Sequence, residues 1–254
     1  MTQQSFAYEE LKTRVPEPDE EMSGRKALNY FKDKTRKKKG VSWYQLVVKD
    51  IYSRTSFRNG SVLDVGCGPG GLLREFESTN PKLKLIGIDA SKTLLNAARK
   101  LSKMDLQFAY ADDLKFKKDS FDLVVCQDTF HHFRKPIDVL KEIYRVTKKG
   151  GYIYITDLRR DAAKDMIGLA TKNITRNSIS HAIFYLQSVK ASYTAQEIET
   201  LLKKAHIRNF KIINGKYNSS TEKIIKSIAD PERREDKDRL FKERWVVIIR
   251  KSNQ

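Results

Sequence analysis

The sequence predicts an α/β fold, a seven-stranded, mostly parallel sheet with helices on both faces, preceded by an N-terminal helical arm. Two observations predict it. From Ser61 to Asp161, short β-branched runs alternate with stretches whose apolar residues recur at helical spacing, the pattern of strand–helix–strand crossovers. The first of these runs, Val62, Leu63 and Val65, passes straight into Gly66-Cys67-Gly68-Pro69-Gly70-Gly71. A strand that stops on glycines and restarts as a helix leaves bare backbone and helix N-terminal amides facing one spot, where a ligand can lie on the main chain.

The 254 residues, 29.4 kDa, suffice for one domain with a full core. Residues 1–40 read as an extension, because Pro16 and Pro18 interrupt any helix and an acidic patch at Glu17, Asp19, Glu20 and Glu21 precedes a basic knot at Lys32–Lys39. Residues 41–254 read as the domain, with insertions at about 161–193 and 214–240. Cys67 and Cys126 have neither metal nor disulfide spacing, so no metal is expected. With no apolar run near membrane-spanning length and no leader, a cytoplasmic protein is expected. The formal charge of +18 would attract nucleic acid or anionic membranes, yet it is spread along the chain as in a solvated surface.

Trp43, Leu46, Val47, Ile51 and Tyr52 predict an amphipathic helix before the first strand. After the glycines, Leu72, Leu73 and Phe76 begin a helix. Leu83 to Ile88 form the second strand, ending at Asp89 and Ala90, and Ser91 caps a helix carrying Leu94, Leu95, Ala98 and Leu101. A carboxylate at the end of the second strand can accept hydrogen bonds from both hydroxyls of a ribose. Leu106, Phe108 and Tyr110 alternate as a third strand, followed by Asp112 and Asp113. Phe121 to Cys126 form the fourth, with Gln127, Asp128, Thr129, Phe130, His131, His132 and Phe133 after it. A helix from Val139 runs to Lys148 and Lys149, where Gly150 and Gly151 stop it. Tyr152 to Thr156 form the fifth strand, Thr194 to Leu202 a capped helix, Ile207 to Ile213 a sixth strand and Trp245 to Ile249 a seventh.

The run Leu63-Asp64-Val65-Gly66-Cys67-Gly68-Pro69-Gly70 resembles the first motif of class I S-adenosylmethionine-dependent methyltransferases, which have a Rossmann-like fold. Asp64 fits that cofactor, since an acid repels a pyrophosphate but accepts hydrogen bonds from an ammonium group. The resemblance implies that Asp64, Gly66, Cys67, Gly68, Gly70, Asp89, Ala90 and Gln127 bind S-adenosylmethionine, leaving S-adenosylhomocysteine as product. In the resembling enzymes an acid after the third strand commonly meets the adenine amino group, which nominates Asp112, with Asp113 beside it. Aligning Leu114 and Phe116 with the family's Leu-Pro-Phe moves that position to Tyr110.

The run from Gln127 to Phe133 resembles the post-strand motif of small-molecule methyltransferases, including the quinone-biosynthesis type, where a His-His pair opens the next helix. His131 or His132 could act as a general base, and Asp128 is the other candidate. Methyl transfer from a sulfonium is an in-line displacement, so alignment alone can supply much of the rate. Arg159 and Arg160 could grip an acidic acceptor group, and His181, Phe184, Tyr185 and Tyr193 bring a base and aromatic rings to the insertion. The segments Val15-Pro16-Glu17-Pro18, Asp157 to Arg160 and Ser188 to Glu197 resemble a bacterial subgroup of these enzymes. A small-molecule acceptor is therefore expected. The alternatives are an RNA methyltransferase, which the charge favours but the missing Asn- or Asp-Pro-Pro-aromatic clamp does not, and a catalytically silent cofactor-binding scaffold.

Overall fold

The structure, a computed structural model, describes residues 13–17, 41–100, 104–162, 167–168, 172 and 179–253, without the side chains of residues 179–181, 233 and 236. Most of the N-terminal arm, and residues 163–166, 169–171 and 173–178 of the first insertion, lie outside the described residues.

Helix α1 (Trp43–Arg54) starts at Ser42, whose hydroxyl accepts the Gln45 N–H while the Gln45 side chain accepts the Ser42 N–H. Strand β1 (Ser61–Val65) leads through the glycines into α2 (Gly71–Thr79), then β2 (Lys84–Asp89), α3 (Lys92–Arg99), β3 (Asp105–Phe108) and β4 (Phe121–Gln127). A short 3-10 turn (Phe130–His132) precedes α4 (Pro136–Val146) and β5 (Thr147–Leu158). The remaining elements are α5 (Ile179–Ala191), α6 (Ala195–Lys204), β6 (Phe210–Asn214), α7 (Ser219–Lys226), α8 (Pro231–Lys242) and β7 (Arg244–Arg250).

The seven strands form one sheet in the order β3-β2-β1-β4-β5-β7-β6. Strands β1 to β5 pair in parallel, and β7 runs antiparallel to both β5 and β6. The order reverses between β1 and β2 on one side and β4 on the other, so the crevice at their carboxyl ends is where an open sheet of this kind takes a ligand. The expected fold class is the observed one.

Alternate residues of β4 explain the two layers of core. Leu123 and Val125 face Val47, Ile51, Leu72 and Phe76 of α1 and α2. Val124 and Cys126 face Leu140 and Ile143 of α4, Ile198 and Leu202 of α6, and Trp245 of β7. A strand covered on both sides needs continuous apolar residues, which Leu123–Cys126 supplies. The polar stretch around 214–240 folds as α7 and α8, whose Ile225 and Phe241 bury against Leu46 of α1.

The structure corrects one boundary. Helix α4 ends at Val146, not at Lys148, because Thr147 turns extended and joins the sheet opposite Phe121. Its hydroxyl closes the helix by donating to the Ile143 carbonyl at 2.7 Å. Among the described residues no helix is long and apolar enough to cross a membrane.

Candidate functional site

The glycine loop is shaped by backbone that only glycine adopts easily. Gly66, Gly68 and Gly70 have φ of 73°, 50° and 71°. At Gly66 the need is doubled, since a Cβ there would stand 2.4 Å from Thr129 Oγ1. The loop is pinned to the neighbouring strand through Gly66 and Cys67, whose N–H groups both donate to the Ile88 carbonyl, at 2.8 and 2.9 Å. The Cys67 side chain turns away into a core with Leu73, Leu95, Ala98 and Leu106, and burial pushes its thiol pKa up.

Asp89 closes the loop from the other side. One carboxylate oxygen accepts the Gly68 N–H at 2.8 Å and the other the Ser91 N–H at 2.7 Å. Burial raises its pKa, although these two amides and the nearby His132 work in the opposite direction. Asp64 is 2% exposed, and its pKa is raised to about 8, first by burial and then by the charge of Asp89. No ion pair joins a cation to either acid among the described residues.

Beside this pair lies a pocket walled by Gly66, Ile88, Asp89 and Ala90 on one side and by Ala109, Tyr110, Ala111, Thr129, His132 and Phe133 on the other. Tyr110 thus takes the place that the family alignment offered it. Asp112 lies instead in a neighbouring hollow with Arg134 and Lys135 and pairs with Lys135 at 3.1 Å. Asp113 is exposed and pairs with Lys115 at 2.5 Å. Strand β3 stops at Phe108, and the turn that follows carries both acids past the pocket.

The loop after β4 brings the two histidines to this pocket on different terms. His132 lines it. His131 is 3% exposed and fixed by Asp157 at the end of β5, whose two oxygens lie 2.8 and 2.9 Å from Nδ1. Asp157 also accepts the His131 backbone N–H at 2.8 Å. Burial lowers the His131 pKa, but the Asp157 and Glu17 carboxylates outweigh it and the net direction is upward. With Asp157 accepting from Nδ1–H, a neutral His131 carries its lone pair on Nε2. That atom is buried and has no hydrogen-bond partner among the described residues.

Residues 13–17 form a strap over these rings. Val15 N–H donates to Lys190 O at 3.0 Å, and Arg14 donates to Ala191 O at 2.6 Å and His131 O at 2.9 Å. The Arg14 guanidinium also stacks 4.2 Å from the centre of the Tyr193 ring. Ser188 of α5 donates to Glu17 at 2.8 Å. The Glu17 carboxylate thereby stands 3.0 Å from His132 Nδ1 and 3.7 Å from His131 Nε2.

Several candidates have other tasks. Asp128 adopts φ 52° and receives both Arg244 Nε at 2.9 Å and Nη2 at 3.2 Å, so its carboxylate is engaged by a buried cation. Gln127 donates to the same carboxylate at 2.8 Å and does not line the pocket. Arg160 is 2% exposed, holding Ser192 O at 2.5 Å and Glu197 at 2.6 and 3.0 Å, so it fastens α6 to the sheet rather than gripping an acceptor. Tyr185 is buried and donates to Glu243 at 2.8 Å. Arg159 pairs with Asp161 at 3.3 Å. The His181 side chain lies outside the described residues. Sequence reasoning missed Thr129, Asp157, Arg14 and Glu17 as members of the site. Asp157 carried a signal, the strand-end position shared with Asp89.

A sheet of this order with an antiparallel seventh strand, a glycine loop after β1 and an acid after β2 defines the class I methyltransferase fold. The family described as a methyltransferase domain matches residues 63–155. Residues 63–155 of the chain are thus similar to that methyltransferase domain, within a sheet of the same fold. It is similar to the malonyl-[acyl-carrier protein] O-methyltransferase of Legionella pneumophila, 32% identical over 109 residues, 41% of this chain and 38% of that one. The ubiquinone/menaquinone biosynthesis C-methyltransferase of Geotalea daltonii is 31% identical over 124 residues, 46% of this chain and 52% of that one. In both, the match spans about half of the relative's length or less. Among solved structures, the plantazolicin methyltransferase BamL, in complex with a triazolic desmethylPZN analogue and SAH, aligns at a TM-score of 0.69 over 97% of this chain and 98% of its own, with 19% identity. That likeness extends the shared fold to nearly the whole chain.

Proposed function

We propose that the chain transfers the methyl group of S-adenosylmethionine to a small-molecule acceptor by in-line displacement. The observation that carries this reading is the pair of acids, buried Asp64 and half-buried Asp89, beside a glycine loop with no cation paired to them among the described residues. A phosphate-bearing cofactor would be repelled there. A cofactor with an ammonium group and a free ribose diol satisfies both acids, the first at Asp64 and the second at Asp89. Ile88 to Ala90 and Ala109 to Ala111 would wall the adenine.

The acceptor would enter from the side of the strap and of the Gln127–Phe133 loop, where Thr129 and His132 line the cofactor pocket and His131 lies beside His132. Because the leaving group is a neutral thioether, holding the acceptor's lone pair in line with the methyl carbon supplies most of the acceleration. Similarity to relatives named for ubiquinone/menaquinone biosynthesis and for malonyl-[acyl-carrier protein] supports an organic acceptor, without selecting one.

Calorimetric titration with S-adenosylmethionine and S-adenosylhomocysteine tests the cofactor assignment. Saturable binding is expected, and Asp89→Ala, which removes two charge-assisted hydrogen bonds, should weaken it by about 2–4 kcal/mol, roughly 30- to 1000-fold. Folded wild-type protein that binds neither compound would sink the proposal.

A further inference from the structure

We infer that Glu17, His131 and His132 form a binding site for one divalent transition-metal ion of the Zn(II) type, which clasps the strap to the loop after β4. The donor atoms Glu17 carboxylate, His131 Nε2 and His132 Nδ1 all lie within 4.8 Å of one another. The two carboxylate–imidazole separations are 3.0 and 3.7 Å. Ligands bound tetrahedrally at about 2.1 Å stand about 3.4 Å apart, so a zinc ion would need only small side-chain rotations.

Three further observations turn proximity into a site. The side chains of His131, His132 and Glu17 are 4%, 8% and 9% exposed, which removes the competition of bulk water. His131 Nε2 is a buried polar atom without a hydrogen bond among the described residues, an arrangement that is costly unless something occupies the space beside it, while His132 Nδ1 meets the Glu17 carboxylate at 3.0 Å. The outer shell is already built: Asp157 holds His131 Nδ1 and thereby aims the Nε2 lone pair, the carboxylate–histidine–metal arrangement. Ser188 in turn holds Glu17.

Two imidazoles and one carboxylate make a borderline donor set, suited to Zn(II) and its first-row neighbours and poorly suited to Mg(II) or Ca(II). Three protein donors leave a fourth position for water or for an acceptor atom. His132 places the ion beside the cofactor pocket. The inference does not depend on which acceptor is methylated.

The test is metal binding by the full chain after dialysis against a chelator. Zn(II) is titrated in competition with a chromophoric chelator, and Co(II) is followed by its visible absorption bands. One equivalent of each ion is expected. His131→Ala and His132→Ala should each weaken Zn(II) binding at least roughly 100-fold, and Asp157→Asn roughly 10- to 100-fold. His206→Ala, at an exposed histidine remote from the site, should leave it unchanged. Zn(II) should also slow tryptic cleavage after Arg14 in wild-type protein and not in Glu17→Gln. S-adenosylhomocysteine titration of every sample reports whether each variant is folded, with His132→Gln replacing any alanine variant that is not. Absence of stoichiometric binding, or affinity unchanged in folded His131 and His132 variants, overturns the site. Binding that survives Glu17→Gln at full strength overturns the clasp. Wild-type protein that binds metal but no cofactor, or cofactor but no metal, separates the failure of one proposal from that of the other.

Discussion

Asp64→Asn probes the most strained group in the cradle. In the folded chain the Asp64 carboxyl holds its proton up to about pH 8, against an ordinary value of 3.8. Between those values the native state binds one proton that the unfolded chain has released. Stability must then fall as pH rises through this window and level off above it, with a slope of at most about 1.4 kcal/mol per pH unit from this group. From roughly pH 5 to pH 7 the loss approaches about 3 kcal/mol. Asparagine has no proton to lose and leaves that term out. Urea unfolding of both proteins at several pH values, without cofactor, gives the difference directly, and every other titrating group largely cancels in it. The asparagine variant should gain on the wild type as pH rises. Parallel profiles would refute the reasoning. The same carboxyl links folding to ligand binding, because an ammonium group beside it favours the charged form. Calorimetry in buffers of different ionisation enthalpy should therefore detect release of up to one proton when wild-type protein binds S-adenosylmethionine near pH 7, and less in Asp64→Asn.

Two further changes separate the cradle from its scaffold. Gly66→Ala should destabilise the fold by more than the roughly 1–2 kcal/mol of left-handed backbone strain, because its methyl group meets Thr129. Adding Thr129→Ala should recover part of the steric cost in denaturant unfolding, since the Cβ that remains would still stand 2.9 Å away, and leave the backbone part. Arg160→Ala should cost about 2 kcal/mol of stability by freeing Ser192 O and Glu197, while cofactor affinity measured on the folded variant stays within about twofold.

The cofactor half of the site is legible in the sequence because its chemistry is local. Glycines that need positive φ, an acid at a strand end and a serine cap two residues later stand within one crossover, so spacing alone puts Gly66, Asp89 and Ser91 together. The acceptor half is not local. Asp128, Arg160 and Tyr185 each look available until the chain folds and brings Arg244, Glu197 and Glu243 against them, and nothing in the spacing announces those meetings. Asp112 shows a related limit: where β3 ends decides whether Tyr110 or Asp112 faces the pocket, and here Tyr110 does while Asp112 lies in the neighbouring hollow. Glu17 reaches the histidines only because the strap is tied to the end of α5 by backbone hydrogen bonds, a pairing invisible in sequence.

The family match stops at residue 155, two positions before Asp157. Every residue that shapes the donor cradle, from Asp64 to Phe133, falls inside the matched stretch, whereas the strap, Asp157, α5 and the Tyr193 turn fall outside it. The edge of the matched stretch thus runs through the candidate site itself, leaving the glycine loop and the loop after β4 on one side and the strap with α5 on the other. Exchanging segments 13–17 and 179–193 in a chimera would leave every residue of the matched stretch in place.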